Sequence, residues 1–165
     1  MVTSFLYHTL LLMAIARNNS PVHILLADDD VDDRYFFDRA LGELSIKTIL
    51  TTLSNGEQLI DFLHSNSGRL PDVLFLDLNM PRKNGFECLE LIKSNQLTES
   101  LPVIIYSTSL LMSVADELYE NGAHYYFQKD TSDLTKLLGH ILTLLENNNY
   151  RRPQREEFII DFAAT

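Results

Sequence analysis

The feature that most constrains this chain is the repeated alternation of short apolar runs with longer amphipathic stretches. Each apolar run is followed by residues whose apolar side chains recur at helical spacing, which indicates a strand followed by a helix. The predicted strands are 22–27, 46–53, 73–76, 103–106 and 125–128. All but the second are nearly continuous apolar runs, as is typical of strands covered by helices on both faces. We therefore predict an α/β fold with a five-stranded parallel sheet.

The second run differs from the others because it carries Lys47 and several threonines, which favours an exposed edge strand. The helix after it is predicted to begin with a capping box formed by Ser54 and Glu57. The fourth helix is predicted to end at Gly122, where a left-handed cap is needed. The whole pattern fits a doubly wound sheet in the flavodoxin-like order 2-1-3-4-5. In such sheets, ligands bind at the carboxyl ends of the strands.

The chain is long enough for one domain with extra residues at both ends. We predict an N-terminal extension at 1–21, the domain at 22–147 and a C-terminal tail at 148–165. The apolar stretch 5–16 is shorter than the roughly 20 residues of a membrane-spanning helix, and it lacks the basic region of a signal peptide. It is either a helix docked on the domain or a segment upstream of a natural start at Met13.

The tail contains four apolar side chains near its end, and an isolated apolar run tends to seek cover. We therefore expect the tail either to be disordered or to form a docked strand or an arm on a partner subunit. The apolar residues are Phe158, Ile159, Ile160 and Phe162.

The net charge of the chain limits the classes of partner that it can bind. The 13 Lys and Arg residues against 23 Asp and Glu residues give a formal charge of −10, so we expect no binding to nucleic acid. The single cysteine, Cys88, argues for a reducing cytoplasm and against a disulfide scaffold. We expect no membrane association. The remaining partners are proteins, cations or small substrates.

Acidic residues follow two strands that the predicted order makes neighbours. Asp28 and Asp29 follow the first strand, and Asp77 follows the third. Carboxylates at close range raise one another's pKa unless a cation is present, and Mg²⁺ is the simplest hard cation for such oxygen ligands. Read alone, Asp28 or Asp30 has an ordinary alternative role as a helix N-cap.

The other strand ends carry groups that suit a phosphoryl ligand. Ser107 and Thr108 follow the fourth strand, and Lys129 follows the fifth. A metal ion and an ammonium neutralise charge on phosphoryl oxygens, so Asp77 is the natural nucleophile and would form an aspartyl phosphate. Taken singly, the two hydroxyls also fit a turn, and the lysine also fits a solvated strand end.

With these residues in place, the chain resembles the receiver domain of bacterial two-component response regulators over about residues 22–147. The chain looks like a stand-alone regulator, similar to the chemotaxis and cyanobacterial phytochrome response regulators. It rests on the stretches 24–30, 74–81 with Gly85, 102–109, and 122–129.

The resemblance implies that Asp77 accepts a phosphoryl group from the phosphohistidine of a sensor histidine kinase. It further implies that Asp29, Asp77 and the Asn79 main-chain carbonyl hold Mg²⁺, with Asp28 acting mainly through water. Whether the chain also counts as an enzyme, through its own phosphorylation and dephosphorylation, stays open.

The resemblance also implies a switch. Lys129 would pair with the phosphoryl group, Ser107 beside Thr108 would donate a hydrogen bond to it, and Tyr126 would change rotamer in response. The signal would pass to a downstream protein or to a homodimer through the face of the fourth helix, fifth strand and fifth helix, together with the tail.

Two alternatives and one departure accompany this interpretation. A pseudo-receiver would bind proteins without phosphorylation, but it would not need the acidic residues and the lysine. A small-molecule phosphatase would be expected to carry an acid at the position of Asn79. The family usually has proline after the lysine, whereas here Asp130 follows Lys129, so we predict a trans peptide bond there.

Overall fold

The computed structural model describes residues 20–108, 112–129, 134–147 and 149–160. The apolar stretch 5–16 with the alternative start at Met13, the Lys129–Asp130 peptide bond and Phe162 lie outside the described residues.

Five strands alternate with five helices along the chain, as predicted. The strands are β1 (Val22–Ala27), β2 (Thr48–Leu53), β3 (Val73–Leu76), β4 (Val103–Ser107) and β5 (Tyr125–Gln128). The helices are α1 (Val31–Gly42), α2 (Gly56–Ser65), α3 (Gly85–Ser94), α4 (Met112–Glu120) and α5 (Leu134–Asn147).

All strand pairs are parallel, and the strand order is β2-β1-β3-β4-β5. The flavodoxin-like prediction is therefore confirmed, and β2 is an edge strand as its threonines indicated. Ala27 is paired with Leu76, so the carboxyl ends of β1 and β3 lie side by side. This pairing puts the residues that follow these strands at one point on the rim of the sheet.

The two faces of the sheet carry separate cores. Helices α1 and α5 cover one face, where Phe37, Phe75 and Tyr106 pack edge to face. Helices α2, α3 and α4 cover the other face, whose core includes Cys88 and Tyr126. Burial of apolar side chains on both faces explains why the central strands are continuous apolar runs.

Helix α1 exposes more apolar surface than its sequence pattern suggests. Its buried residues include Phe37 and Leu41, whereas Val31, Tyr35 and Phe36 have 66%, 57% and 58% of their surface exposed. Helical spacing alone did not distinguish these side chains, because the buried stripe is set by where the sheet lies.

The caps of two helices differ in how well they were predicted. Asn55, not Ser54, is the N-cap of α2, and its side chain accepts a hydrogen bond from the Gln58 backbone N–H. Gln58 in turn accepts from the Ser54 backbone N–H, so the predicted Ser54–Glu57 box is wrong by one residue. Gly122 has φ of +93° after α4, as predicted for a left-handed cap.

The C-terminal tail folds back on its own chain. A short 3₁₀ helix, Arg155–Glu157, leads into Phe158, which is fully buried beside α4 and β5. Ile159 then forms a parallel bridge with Tyr126. Among the described residues, no helix is long and apolar enough to cross a membrane.

Candidate functional site

Three carboxylates meet at the rim between β1 and β3. The backbone N–H of Asp77 donates to the Ala27 carbonyl at 2.9 Å, which extends the sheet pairing beyond the two strands. One carboxylate oxygen from each of Asp28, Asp29 and Asp77 lies within 4.8 Å of the others. The parallel sheet thus brings together the residues that the sequence predicted would converge.

The carboxylates differ in burial. Asp28 is fully buried and Asp77 is 4% exposed, whereas Asp29 is exposed. A hard divalent cation with oxygen ligands fits this donor set, because it would neutralise the buried charges and keep water ligands on the open side. Asn79 is exposed next to the cluster, and its backbone N–H donates to Asp77 Oδ1 at 3.3 Å.

Glycine at position 85 permits the tight path of the loop after β3. A Cβ at Gly85 would lie 2.3 Å from the Asp77 carbonyl oxygen, too close for any side chain. The Gly85 N–H donates to the Leu78 carbonyl, and Asn84 and Glu87 form a capping box that begins α3. The loop is therefore held directly against the backbone of Asp77.

Lys129 extends from the end of β5 into the carboxylate cluster. Its Nζ lies 2.7 Å from Asp28 Oδ2, 2.8 Å from Asp33 Oδ2 and 3.3 Å from Asp77 Oδ2. The lysine side chain is only 6% exposed. It is an ion-paired component of the rim, which excludes the alternative of a solvated lysine at a strand end.

Burial and pairing pull the pKa values of these groups in opposite directions. Desolvation raises the pKa of Asp28 to about 6, although Lys129 acts to lower it. Desolvation also pulls the pKa of Lys129 down, but its hydrogen bonds to Asp28 and Asp33 and the charge of Asp77 outweigh this and hold it above its ordinary value. The ammonium therefore stays charged, and an added cation would favour the ionised form of Asp28.

Asp30 has the ordinary role that the sequence left open for it. Its carboxylate accepts hydrogen bonds from the backbone N–H groups of Asp32 and Asp33 and caps α1. These two bonds lower the pKa of Asp30. Asp28 instead accepts from the Asp30 N–H, so the two acids divide the capping and cluster roles between them.

The hydroxyls at the end of β4 have different surroundings. Ser107 is fully buried, and its Oγ has no hydrogen-bond partner among the described residues. Its carbonyl accepts from the Lys129 backbone N–H at 2.8 Å, so serine and lysine lie on adjacent strand ends. Thr108 is exposed, and its carbonyl accepts from the Gln128 side chain. Of the two, Ser107 has the buried hydroxyl without a partner among the described residues.

Tyr126 lies apart from the rim, inside the protein. It is fully buried, its backbone pairs with the tail, and its ring lies 6.1 Å from the ring of Phe158. The side chain that the resemblance made part of a switch is thus covered by the C-terminal tail.

Asp33 is a site residue that the sequence reasoning missed. It lies in the first turn of α1, and its carboxylate accepts a hydrogen bond from Lys129, 96 positions along the chain. One signal was available: helical side chains point towards the N-terminus of their helix. A carboxylate in the first turn after β1 is therefore directed back to the same rim.

This fold and rim are those of a receiver domain, and the chain belongs to the response regulator receiver domain family. The family's sequence profile matches residues 24–141. Receiver domains generally bind a divalent metal, and they interact with histidine kinases and downstream targets.

Individual relatives agree with the family. Response regulator Rcp1 of Synechocystis is 32% identical over 128 residues, which cover 73% of this chain and 86% of that protein. The two-component response regulator ARR8 of Arabidopsis thaliana is 26% identical over 165 residues, covering 88% of this chain and 72% of ARR8.

Solved structures show the same fold. The Mn²⁺-bound form of Rcp1 superposes with a TM-score of 0.67 at 29% identity, covering 74% of this chain and 93% of Rcp1. The phosphorylated cyanobacterial phytochrome response regulator RcpA gives a TM-score of 0.66 at 26% identity, covering 77% and 93%.

Proposed function

We propose that this chain is a cytoplasmic response regulator that accepts a phosphoryl group on Asp77 from a sensor histidine kinase, in a Mg²⁺-dependent reaction. In this proposal residues 22–147 are the receiver domain, 1–21 an extension and 148–165 a tail. The observation that carries the proposal is the convergence of Asp28, Asp29, Asp77 and Lys129 on one rim. A module that only binds proteins has no need of this arrangement.

The chemistry follows from the charges at the rim. An Asp77 carboxylate oxygen attacks phosphorus, the bond from phosphorus to the donor nitrogen breaks, and the departing imidazole takes up a proton. The groups that would hold Mg²⁺ are the carboxylates of Asp28, Asp29 and Asp77 and the Asn79 carbonyl. When bound, the ion supplies positive charge to the phosphoryl oxygens.

The remaining charge and hydrogen bonding would come from the end of β4 and from Lys129. Lys129 would pair with a second phosphoryl oxygen. The Ser107 hydroxyl would donate to a third, and its lack of a partner among the described residues supports this role. Thr108 lies next to it at the exposed end of the strand.

The direct test is intact-mass measurement after incubation with acetyl phosphate and Mg²⁺. We expect one added phosphoryl group on the wild type and none on Asp77→Ala. Asp61→Asn, which removes an exposed carboxylate of α2, is the matched control and should be modified like the wild type. A modified Asp77→Ala chain, or a wild type left unmodified by both acetyl phosphate and a cognate kinase, would reject the proposal.

We further propose that the signal leaves through the face of α4, β5 and α5, where the tail competes with a partner protein or a second copy of the chain. The Tyr126 N–H donates to the Phe158 carbonyl at 2.8 Å, and the Ile160 N–H donates to the Tyr126 carbonyl at 2.9 Å. The Tyr126 ring also lies 6.1 Å from the Phe158 ring, so a rotamer change of Tyr126 on phosphorylation would disturb the tail.

Side chains add to this attachment of the tail. The Tyr119 hydroxyl donates a hydrogen bond to the Pro153 carbonyl, and the Tyr119 ring lies 5.4 Å from the Phe158 ring. Arg152 stacks on the Tyr119 ring, and Arg155 pairs with Asp116. Phe158 is fully buried, but the hydrogen bonds of Arg152 and Arg155 are solvent-exposed, which suits a segment whose outer contacts can be exchanged.

Solution mass with and without acetyl phosphate tests the role of the tail. Deleting residues 151–165 should change the oligomeric state or its response to phosphorylation. Glu156→Gln, which neutralises an exposed tail residue, should leave both unchanged. If the deletion has no effect on either quantity, the tail has no part in assembly.

A further inference from the structure

Lys129 has one carboxylate partner that does not belong to the predicted metal site. Asp28 and Asp77 belong to the three-carboxylate cluster, but Asp33 lies on α1, outside it. The Asp33 contact is also well formed, because Lys129 Nζ donates a hydrogen bond to Asp33 Oδ2 at 2.8 Å. Asp33 is therefore able to hold the ammonium independently of the cluster.

We propose that Asp33 is a positioning residue that holds Lys129 when a divalent cation occupies the three carboxylates, and that competes with an incoming phosphoryl group for the same ammonium. The proposal deepens the function proposed above and its second half rests on that function. The first half concerns metal binding alone.

The first half follows from competition between cations. Lys129 Nζ lies 2.7 Å from Asp28 and 3.3 Å from Asp77, so it neutralises two of the carboxylates that a metal ion would bind. A divalent cation at these oxygens repels the ammonium. Asp33 gives the ammonium a partner outside the three-carboxylate cluster, and this makes metal entry more favourable.

The second half follows from the charge that remains. Asp28, Asp29, Asp33 and Asp77 bring four negative charges against the one positive charge of Lys129. With a divalent cation bound, the rim would keep a net charge of −1, which opposes the approach of an anionic phosphoryl group. Without Asp33 the loaded rim would be neutral, and the ammonium would be free for the phosphoryl oxygens.

The position of Asp33 allows it to release the lysine again. Its side chain is 30% exposed, compared with 0% for Asp28 and 5% for Asp77. It borders a cleft of about 370 Å³ that is also lined by Arg39 and Thr135. Water in this cleft can solvate the carboxylate after Lys129 leaves, so exchange of the ammonium carries little desolvation penalty.

The experiment compares Asp33→Asn with Asp32→Asn in the full chain. Asp32 is the exposed neighbour of Asp33, and its substitution removes the same charge from the same turn without touching Lys129. Mg²⁺ affinity is measured by calorimetry. We expect Asp33→Asn to weaken Mg²⁺ binding about fivefold, and Asp32→Asn to change it less than twofold.

The phosphorylation arm uses acetyl phosphate at saturating Mg²⁺. Asp33→Asn should lower the apparent KM for this anionic donor about fivefold and change the maximal rate much less, whereas Asp33→Glu, which keeps the charge, should remain close to the wild type. A purely structural role for Asp33 would slow the reaction instead.

Repeating both arms in a Lys129→Met background identifies the route of the effect. If Asp33 acts through Lys129, Asp33→Asn has no further effect on Mg²⁺ affinity there. The proposal is overturned if Asp33→Asn and Asp32→Asn give equal Mg²⁺ affinities, or if the full effect persists without Lys129. The expected Mg²⁺ result with no phosphoryl adduct on any variant would reject the proposed function and retain only the metal half.

Discussion

A partly buried lysine lies at each end of the sheet, and the two are stabilised in different ways. Lys129, at the carboxyl ends of the strands, contacts three carboxylates, which hold its pKa above the ordinary value against the opposing effect of burial. Lys93 on α3, near the opposite end, donates to the carbonyls of Glu99 and Leu101 at 2.8 and 2.6 Å. Burial, with a contribution from Arg152, lowers the pKa of Lys93 to about 8.

The difference shows that the partners of a buried lysine determine its role. Carbonyl dipoles satisfy the Lys93 ammonium without neutralising it, so this lysine braces the loop that leads into β4. The carboxylates around Lys129 outnumber the ammonium, so they can also attract a divalent cation. One end of the sheet is thus suited to structure and the other to ion binding.

The largest expected effect comes from removing the lysine at the ion-binding end. Lys129→Met leaves Asp28 and Asp77 buried without their cation, which should lower the free energy of unfolding by about 3 kcal/mol in a chelator. Mg²⁺ would neutralise the same oxygens, so it should stabilise the variant more than it stabilises the wild type. Urea unfolding followed by circular dichroism, with chelator or with Mg²⁺, measures both quantities. An equal Mg²⁺ increment in the two proteins would contradict this account.

The next effect is limited to acidic pH and is expected from His124, which lies at the same end as Lys93. Burial, followed by the charge of Lys93, lowers its pKa to about 4, and its Nδ1 accepts a hydrogen bond from the Val103 N–H. In the unfolded chain its pKa returns to about 6.5. The unfolded chain therefore binds more protons at this histidine between these two pH values, so the contribution of His124 to stability should fall by up to about 3 kcal/mol as pH drops from 6.5 to 4. Asp28, whose pKa is raised to about 6, contributes in the opposite direction over part of this range.

Unfolding curves between pH 4 and 7 measure this effect. His124→Gln should flatten the loss of stability over this range, because it removes the group that must be kept neutral. His64→Gln, at an exposed position of α2, should retain the pH dependence of the wild type. A wild-type slope in His124→Gln would mean that another group causes the acid sensitivity.

The smallest effect is expected from replacing the structural lysine. Lys93→Met removes the hydrogen bonds to the carbonyls of Glu99 and Leu101, and the second of these residues is buried. The substitution should lower the free energy of unfolding by about 1 kcal/mol. Mg²⁺ should not restore this loss, in contrast to Lys129→Met. Recovery of Lys93→Met by Mg²⁺ would remove the distinction between the two ends of the sheet.

Much of the fold was predictable because it depends on local patterns. Continuous apolar runs placed β3 and β5 at their observed bounds, and Gly122 was recognised from its place after a helix. The Ser54 cap was misplaced by one residue because Ser54 and Asn55 are both good caps. Only the path of the chain decides which carbonyl begins the helix.

Some residues of the candidate site were predicted from the sequence, and others were not. The convergence of four side chains was predicted because they lie within two residues of a strand end, and parallel strands end at a common rim. They are Asp28, Asp29, Asp77 and Lys129. Asp33 was missed because it lies in the first turn of a helix and not at the end of a strand. The path of the tail was also missed, since an apolar run indicates a need for cover but not the surface that provides it.

The sequence by itself therefore determined the order of strands and helices and the acidic rim, because hydrophobic period and strand-end chemistry are written in adjacent residues. Tertiary structure alone decided that Lys129 is shared with Asp33 and that Phe158 covers Tyr126. Both contacts depend on distances between elements that are remote along the chain, and such distances arise only when the two faces of the sheet are packed.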